Sequence, residues 1–320
     1  MTDVEFDFLR TYLKARSGLA LSGEKRYLIE SRLGPICRRF NFATLHDLVN
    51  ALKGGREATI ERAVVEAMTT NETFFFRDRA PFDLFRDVLL PEAMARRAAH
   101  RRLRIWCAAA STGQEPYSLA MMLHEAAPRL AGWTVDLVAT DLSTEVLEKA
   151  RAGLYSHFEV QRGLPVQLLI KHFEQQGEQW RIAAALRQMV DFRPLNLLHP
   201  FDGLGTFDII YCRNVLIYFD AATKGDVLAR ISASLSPDGA LLLGAAETVI
   251  GLTDRLAPNA QHRGLYNQAA APARAPMGLP AASSGLPAAS SGLPAASSGL
   301  PAAAMASALT PPPLRRAVGL

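Results

Sequence analysis

From residue 100 onward, short apolar runs alternate with segments in which apolar residues recur every three or four positions. Residues 103–107, 135–140, 207–212 and 240–244 read as buried strands, because each is a brief, nearly continuous apolar run. Between them Leu119, Met122, Leu123 and Ala126, and later Val227, Leu228, Ile231 and Leu235, keep helical spacing. This alternation predicts an α/β fold built on a parallel, doubly wound (Rossmann-like) sheet, since parallel neighbours need a crossover that is usually a helix. Residues 156–190 interrupt it. A helix-like stretch over 166–173 precedes short alternating segments around Trp180-Arg181-Ile182, which predicts a small inserted β-subdomain.

Ahead of the sheet region, residues 1–70 read as a small domain of amphipathic helices. Phe6, Leu9 and Leu13, then Tyr27, Leu28, Leu33 and Ile36, recur at helical intervals, and Lys25, Arg26, Arg32, Arg38 and Arg39 interleave with them. The pattern alone leaves this basic face open between a solvated surface and a docking surface. At the other end, Gly278-Leu279-Pro280-Ala281-Ala282-Ser283-Ser284 recurs from Gly285 and from Gly292. Pro and Gly in every unit argue against a coiled coil, and one Leu per unit offers little to bury, so 269–320 reads as a disordered tail that the chemistry does not need.

Composition narrows the class. With 320 residues, 49% hydrophobic and 21% charged, the chain can bury a substantial core. No apolar run approaches the roughly 20 residues that cross a bilayer, and the acidic start Met1-Thr2-Asp3-Val4-Glu5 is unlike a signal peptide. The expectation is a cytoplasmic protein without membrane insertion. Cys37, Cys107 and Cys212 lie far apart, so no disulfide framework and no metal site are expected. A net charge of +4 is too small to imply nucleic acid, but it suits an acidic partner surface.

Candidate chemistry follows from the sheet. In open parallel sheets ligands bind beyond the carboxyl ends of the strands. The first strand is followed by Ala108-Ala109-Ala110-Ser111-Thr112-Gly113-Gln114-Glu115-Pro116, whose small residues let the backbone approach a ligand. The second ends in Asp141, ahead of Ser143 as a candidate helix cap. An acid there is placed to accept hydrogen bonds from two ribose hydroxyls, though a simple capping carboxylate is an equal reading. The absence of a glycine cluster that cradles phosphates disfavours a dinucleotide, and so an NAD-dependent oxidoreductase. It favours a nucleoside with an uncharged linker, such as S-adenosylmethionine. A later strand runs into Cys212-Arg213-Asn214-Val215-Leu216-Ile217-Tyr218-Phe219, where an Arg-Asn pair is costly to bury without a partner. Tyr218 alone could equally be a tyrosine at the core edge. Upstream, Phe74-Phe75-Phe76 in the segment 69–78 match neither helical nor strand periodicity, and they suit either ligand binding or interdomain packing.

Together these segments resemble the CheR family of chemotaxis protein-glutamate methyltransferases over about residues 5–268. The blocks that carry the resemblance are Asn71-Glu72-Thr73-Phe74-Phe75-Phe76-Arg77, Ser111-Thr112-Gly113-Gln114-Glu115-Pro116-Tyr117-Ser118, Ala139-Thr140-Asp141 and Cys212 to Phe219. The resemblance implies a methyltransferase domain over 71–268 that uses S-adenosylmethionine and releases S-adenosylhomocysteine. Asn71, Thr73, Arg77, Glu115, Asp141, Asn196, Leu197, Cys212 and Arg213 would surround the cofactor, with Arg77 and Tyr218 nearest the transferring methyl. It also implies that Lys25, Arg32 and Arg38 meet the cytoplasmic helical domain of methyl-accepting receptors, that the insert in some members grips a receptor peptide, and that the protein acts as a monomer. Ala109-Ala110 stand where many members carry Gly-Cys, which predicts a tighter cofactor fit. A non-catalytic adaptor that binds S-adenosylmethionine is the competing reading.

Overall fold

The computed structural model describes residues 1–55 and 57–269. The seven-residue repeats expected to be disordered lie outside the described residues.

Four helices open the chain: Asp3–Ser17, Arg26–Arg39, Leu45–Gly54 and Ala58–Met68. The first and third begin with reciprocal capping boxes, Thr2 with Glu5 and Thr44 with Asp47, so the orphan amides of each first turn find side-chain oxygens. Gly18, in the left-handed region at φ 76°, ends the first helix. Leu9, Leu13, Ile29, Leu33, Leu48 and Val64 are fully buried in the core these helices share. The second helix differs from the expected phase. Its buried face is Ile29, Leu33, Ile36 and Cys37, while Tyr27 is 65% exposed. The i, i+4, i+7, i+8 stripe from Ile29 is wider than the one that starts at Tyr27, and it alone faces the other three helices.

Ten strands follow among the described residues: β1 (Arg102–Cys107), β2 (Thr134–Asp141), β3 (Leu154–Ser156), β4 (Phe173–Gln176), β5 (Gln179–Ile182), β6 (Val190–Pro194), β7 (Phe207–Cys212), β8 (Leu235–Leu243), β9 (Leu256–Pro258) and β10 (Leu265–Gln268). The main sheet runs β6-β2-β1-β7-β8-β10-β9. Its first five strands are parallel; β10 lies antiparallel to β8, and β9 antiparallel to β10. The expected parallel sheet is therefore mixed, closed at one edge by a pair of strands too short to carry a period in the sequence. The chain winds outward from β1 to β2 and β6, then returns to β7 on the other side of β1, so the topological switch lies between β1 and β7. Apolar clusters cover both faces, one around Leu103, Ile105, Tyr117 and Ile209, the other around Trp106, Phe207, Ile210 and Cys212.

The three-stranded sheet β3-β5-β4 with helix Val166–His172 makes the insert. It packs on the segment between the helical region and the sheet. The Phe75 ring lies 5.1 Å from that of Tyr155 and 5.6 Å from that of Phe173, both edge-on. Gly163 is required here, because a Cβ would come 2.1 Å from the Phe75 carbonyl oxygen. Helical region, sheet and insert belong to one compact unit, and no helix among the described residues is long and apolar enough to cross a membrane.

Candidate active site

A cavity of about 990 Å³, part of it open to solvent, sits over the carboxyl ends of β1, β2 and β7, where the strand order reverses. Four loops, after β1, β2, β6 and β7, and two segments from the helical region and its exit build its wall.

The loop after β1 turns on Ser111, a non-glycine residue at φ 49°. Two contacts hold it there: its N–H donates to Asp141 Oδ2 at 2.8 Å, and its hydroxyl donates to the Asn71 carbonyl at 2.8 Å. Asp141 Oδ1 accepts the Ser143 N–H at 3.0 Å, and Ser143 caps the helix Thr144–Ala152. The side chain that caps this helix is thus Ser143, while Asp141 binds both loops and also lines the cavity. Burial pushes the Asp141 carboxyl above the usual carboxylate range, against the pull of the backbone amides of Ser143, Ser111 and Leu142. Each of its oxygens keeps a lone pair after these bonds, so a buried carboxylate stands ready for hydroxyl donors.

Arg213, just past the end of β7, is buried, and both of its terminal amines are engaged. Its guanidinium donates to Glu115 Oε2 at 2.8 Å, to Asp78 Oδ2 at 2.6 Å and to the Arg77 carbonyl at 3.0 Å. Burial raises the Glu115 carboxyl above its ordinary value, and the Arg213 guanidinium at contact distance pulls against that rise. Both residues touch the cavity, and Arg213's bonds to Asp78 and the Arg77 carbonyl hold the strained turn at Phe76, Asp78 and Arg79, all at positive φ. Arg77 emerges from that turn. One of its terminal amines donates to the Glu72 carbonyl at 2.8 Å, and the guanidinium lies 5.6 Å over the Phe74 ring, which leaves donors facing the cavity.

Of the expected site residues, Asn71, Thr73, Arg77, Glu115, Asp141, Asn196, Leu197, Arg213 and Tyr218 converge on this one cavity. Cys212 does not. Its side chain is fully buried in the apolar cluster on the sheet, where burial pushes the thiol well up, because alternation along β7 turns it away from the wall that Arg213 reaches. Asn196 reaches the wall with its amide already engaged: Nδ2 donates to the Arg16 carbonyl at 2.7 Å, and Oδ1 accepts the Leu198 N–H at 3.0 Å. The triple Phe serves packing, with Phe75 and Phe76 buried and the polar residues on either side lining the cavity. Ala109 lines the cavity, whereas Ala110 is buried in the core.

Sequence reasoning missed the part of the wall that comes from the helical region itself: Ser17, Leu19 and Met68. The Ala20 N–H donates to the Tyr218 carbonyl at 2.9 Å, and Gly18 lies so close to Phe219 that a Cβ would meet its ring at 2.9 Å. Gly18 was the one sequence signal, readable only as a helix stop. Of the three expected receptor contacts, Lys25 and Arg38 are exposed, while Arg32 donates to the carbonyls of Met68 and Thr69 at 2.8 Å each and to Thr70 Oγ1 at 3.1 Å. Arg32 therefore holds the cavity wall from behind.

Away from this cavity, His124, Glu125 and His172 gather ligating atoms within 4.8 Å of one another, but the Lys171 ammonium, 2.8 Å from Glu125, already supplies the cation.

Comparison with known proteins agrees with this geometry. Residues 71–264 match the profile described as "CheR methyltransferase, SAM binding domain", and residues 4–69 match "CheR methyltransferase, all-alpha domain". The chain is 43% identical over 259 residues to "Chemotaxis protein methyltransferase 1" of Vibrio cholerae, covering 80% of this chain and 93% of that one. It is 37% identical over 260 residues to the "Chemotaxis protein methyltransferase" of Escherichia coli, covering 80% and 88%. Among solved structures, the glycopeptide N-methyltransferase MtfA complexed with S-adenosylmethionine overlays with a TM-score of 0.28 at 20% identity over 47% of this chain and 52% of that one, too loosely to carry an argument.

The residues present fit S-adenosylmethionine: Asp141 would offer a buried carboxylate to the ribose hydroxyls, and Leu142, Leu195 and Leu197 an apolar wall. The chain belongs to the CheR methyltransferase family, with S-adenosylmethionine as its cofactor.

Proposed function

We propose that this chain transfers the methyl group of S-adenosylmethionine to glutamate side-chain carboxylates of methyl-accepting chemotaxis receptors in the cytoplasm, forming the methyl esters that set receptor adaptation. The observation that carries this reading is the convergence of Arg77 and Tyr218 on the cavity that Asp141 anchors. When bound, S-adenosylmethionine supplies an electrophilic methyl on a sulfonium. A receptor glutamate, with an ordinary pKa near 4.3, is already ionised at neutral pH, so no general base is required. The protein's task is then to hold the acceptor oxygen in line and to exclude water, which contributes several kcal/mol. Arg77, steadied by the Glu72 carbonyl and the Phe74 ring, has the planar fork that receives a carboxylate through two N–H groups. Tyr218, held through its carbonyl by Ala20, lines the same cavity. Lys25 and Arg38, exposed on the helical region, supply the basic surface for an acidic receptor face; Arg32 acts on the cofactor side.

The test is to incubate the purified chain with S-adenosylmethionine labelled in its methyl group and with receptor-containing membranes, and then to treat the labelled protein with base. Glutamate methyl esters release volatile methanol, whereas N-methyl groups do not. Label that resists base, or no label on the receptor, refutes this reading.

A further inference from the structure

A second carboxylate, outside the cavity wall, governs the turn that carries Tyr218. Glu247 follows β8 and is 8% exposed. Its Oε2 accepts the N–H groups of Asn214 at 2.7 Å and Gly244 at 2.6 Å, and its Oε1 accepts those of Val215 at 2.9 Å and Leu216 at 2.7 Å. Four main-chain donors on one buried carboxylate are far more than a helix cap needs. Three of them come from consecutive residues at the start of the Asn214-to-Phe219 turn. Asn214 itself sits at φ 59°, a conformation that persists in a non-glycine residue only where its surroundings over-determine it. The packing allows no looser arrangement: a Cβ on Gly244 would lie 2.7 Å from Glu247 Oε2 and 2.8 Å from Asn214 Nδ2.

We propose that Glu247 is a positioning residue for methyl transfer, whose carboxylate clamps the Asn214–Leu216 amides and so fixes where Arg213 and Tyr218 stand on either side of them. The inference rests on Tyr218 lying beside the reacting methyl. Glu247 touches neither cofactor nor acceptor. Asn214 and Val215 also line the cavity, so replacing Glu247 should loosen that part of the wall, while Asp141 and the loop after β1, joined by their own hydrogen bond across β1 and β2, keep most cofactor binding in place. The cost should fall on turnover, because a shift of about 1 Å in a positioning group is enough for a roughly 100-fold loss.

The experiment compares wild type, Glu247→Gln and Gly244→Ala in the full chain. It follows kcat on receptor-containing membranes, S-adenosylhomocysteine affinity by calorimetry, and amide hydrogen exchange at Asn214, Val215 and Leu216. Glu247→Gln keeps the shape but turns one acceptor into a donor. We expect faster exchange at those amides, kcat down about 100-fold and cofactor affinity within a few-fold of wild type. Gly244→Ala presses on the same carboxylate from outside and should give the same signature if Glu247→Gln does not fold. Faster exchange with unchanged kcat overturns the proposal, as does a loss of affinity equal to the loss of turnover. Absence of receptor methylation by the wild type refutes the proposed function instead, and the exchange data then still report whether Glu247 clamps the turn.

Discussion

Replacing Arg32 by Ala should weaken cofactor binding, although Arg32 belongs to the helical region and lies outside the cavity wall. Its guanidinium holds Met68, Thr69 and Thr70, and all three line the cavity. Two of its three hydrogen bonds are partly buried and go to carbonyls; the third is exposed. At about 0.5–1.5 kcal/mol net for each of the first two, and little for the third, the pin is worth about 1–3 kcal/mol. If that wall must be re-ordered each time the cofactor binds, the same free energy appears in affinity. At about 1.4 kcal/mol per tenfold, the dissociation constant rises about 5- to 150-fold. Calorimetric titration of S-adenosylhomocysteine into wild type, Arg32→Ala and Arg38→Ala measures this directly. Arg38, exposed and two turns along the same helix, is the control and should bind as wild type does. An Arg32→Ala protein that binds within twofold of wild type would show that the wall keeps its shape without the pin, and the reasoning would be wrong.

Asp141→Ala should lose about 1–3 kcal/mol of affinity for S-adenosylmethionine and its product, from the hydroxyl partners left unmatched; calorimetry checks it. Because burial raises the Asp141 pKa, the ligand-free folded state holds its proton more readily than the unfolded chain. Asp141 should therefore favour folding increasingly as pH falls through the window above 3.8, while cofactor affinity drops over the same range. Glu115→Ala leaves the Arg213 charge buried with Asp78 as its remaining carboxylate and should cost about 3–5 kcal/mol in urea unfolding, with Glu115→Gln costing less. Glu5, held by the Thr2 amide and by His46 at 2.6 Å each, has its pKa lowered from 4.5 to about 2. The stability it adds is full above pH 4.5 and lost as pH falls through about 2, so wild type and Glu5→Gln should converge in stability along the acid limb. Lys25→Glu with Arg38→Glu should slow receptor methylation and flatten its salt dependence with cofactor affinity intact, since complementary charge mainly raises the encounter rate.

The sequence by itself determined the elements and much of the site. Apolar runs at 103–107 and 207–212 read as buried strands because strands covered on both faces carry almost nothing polar; Arg213 stood out because charge leaving such a run needs a partner, and Asp141 because an acid at the carboxyl end of the second strand can meet ribose hydroxyls. The edge pair β9 and β10 stayed hidden, as strands this short leave no period to read. The family resemblance placed Arg77, Glu115, Asp141 and Tyr218 around one site, but it did not reveal that Arg213 is held by Glu115 and Asp78, whose positions are 98 and 135 residues away along the chain. The roles of Arg32 and Glu247 were invisible for the same reason. A basic residue on an amphipathic helix looks alike whether it faces a receptor, water or the carbonyls of its own chain, and an acid after a strand looks alike with no amide partner or with four. Local periodicity records which face of an element is buried; only the packing of distant segments decides which main-chain groups a buried charge will meet.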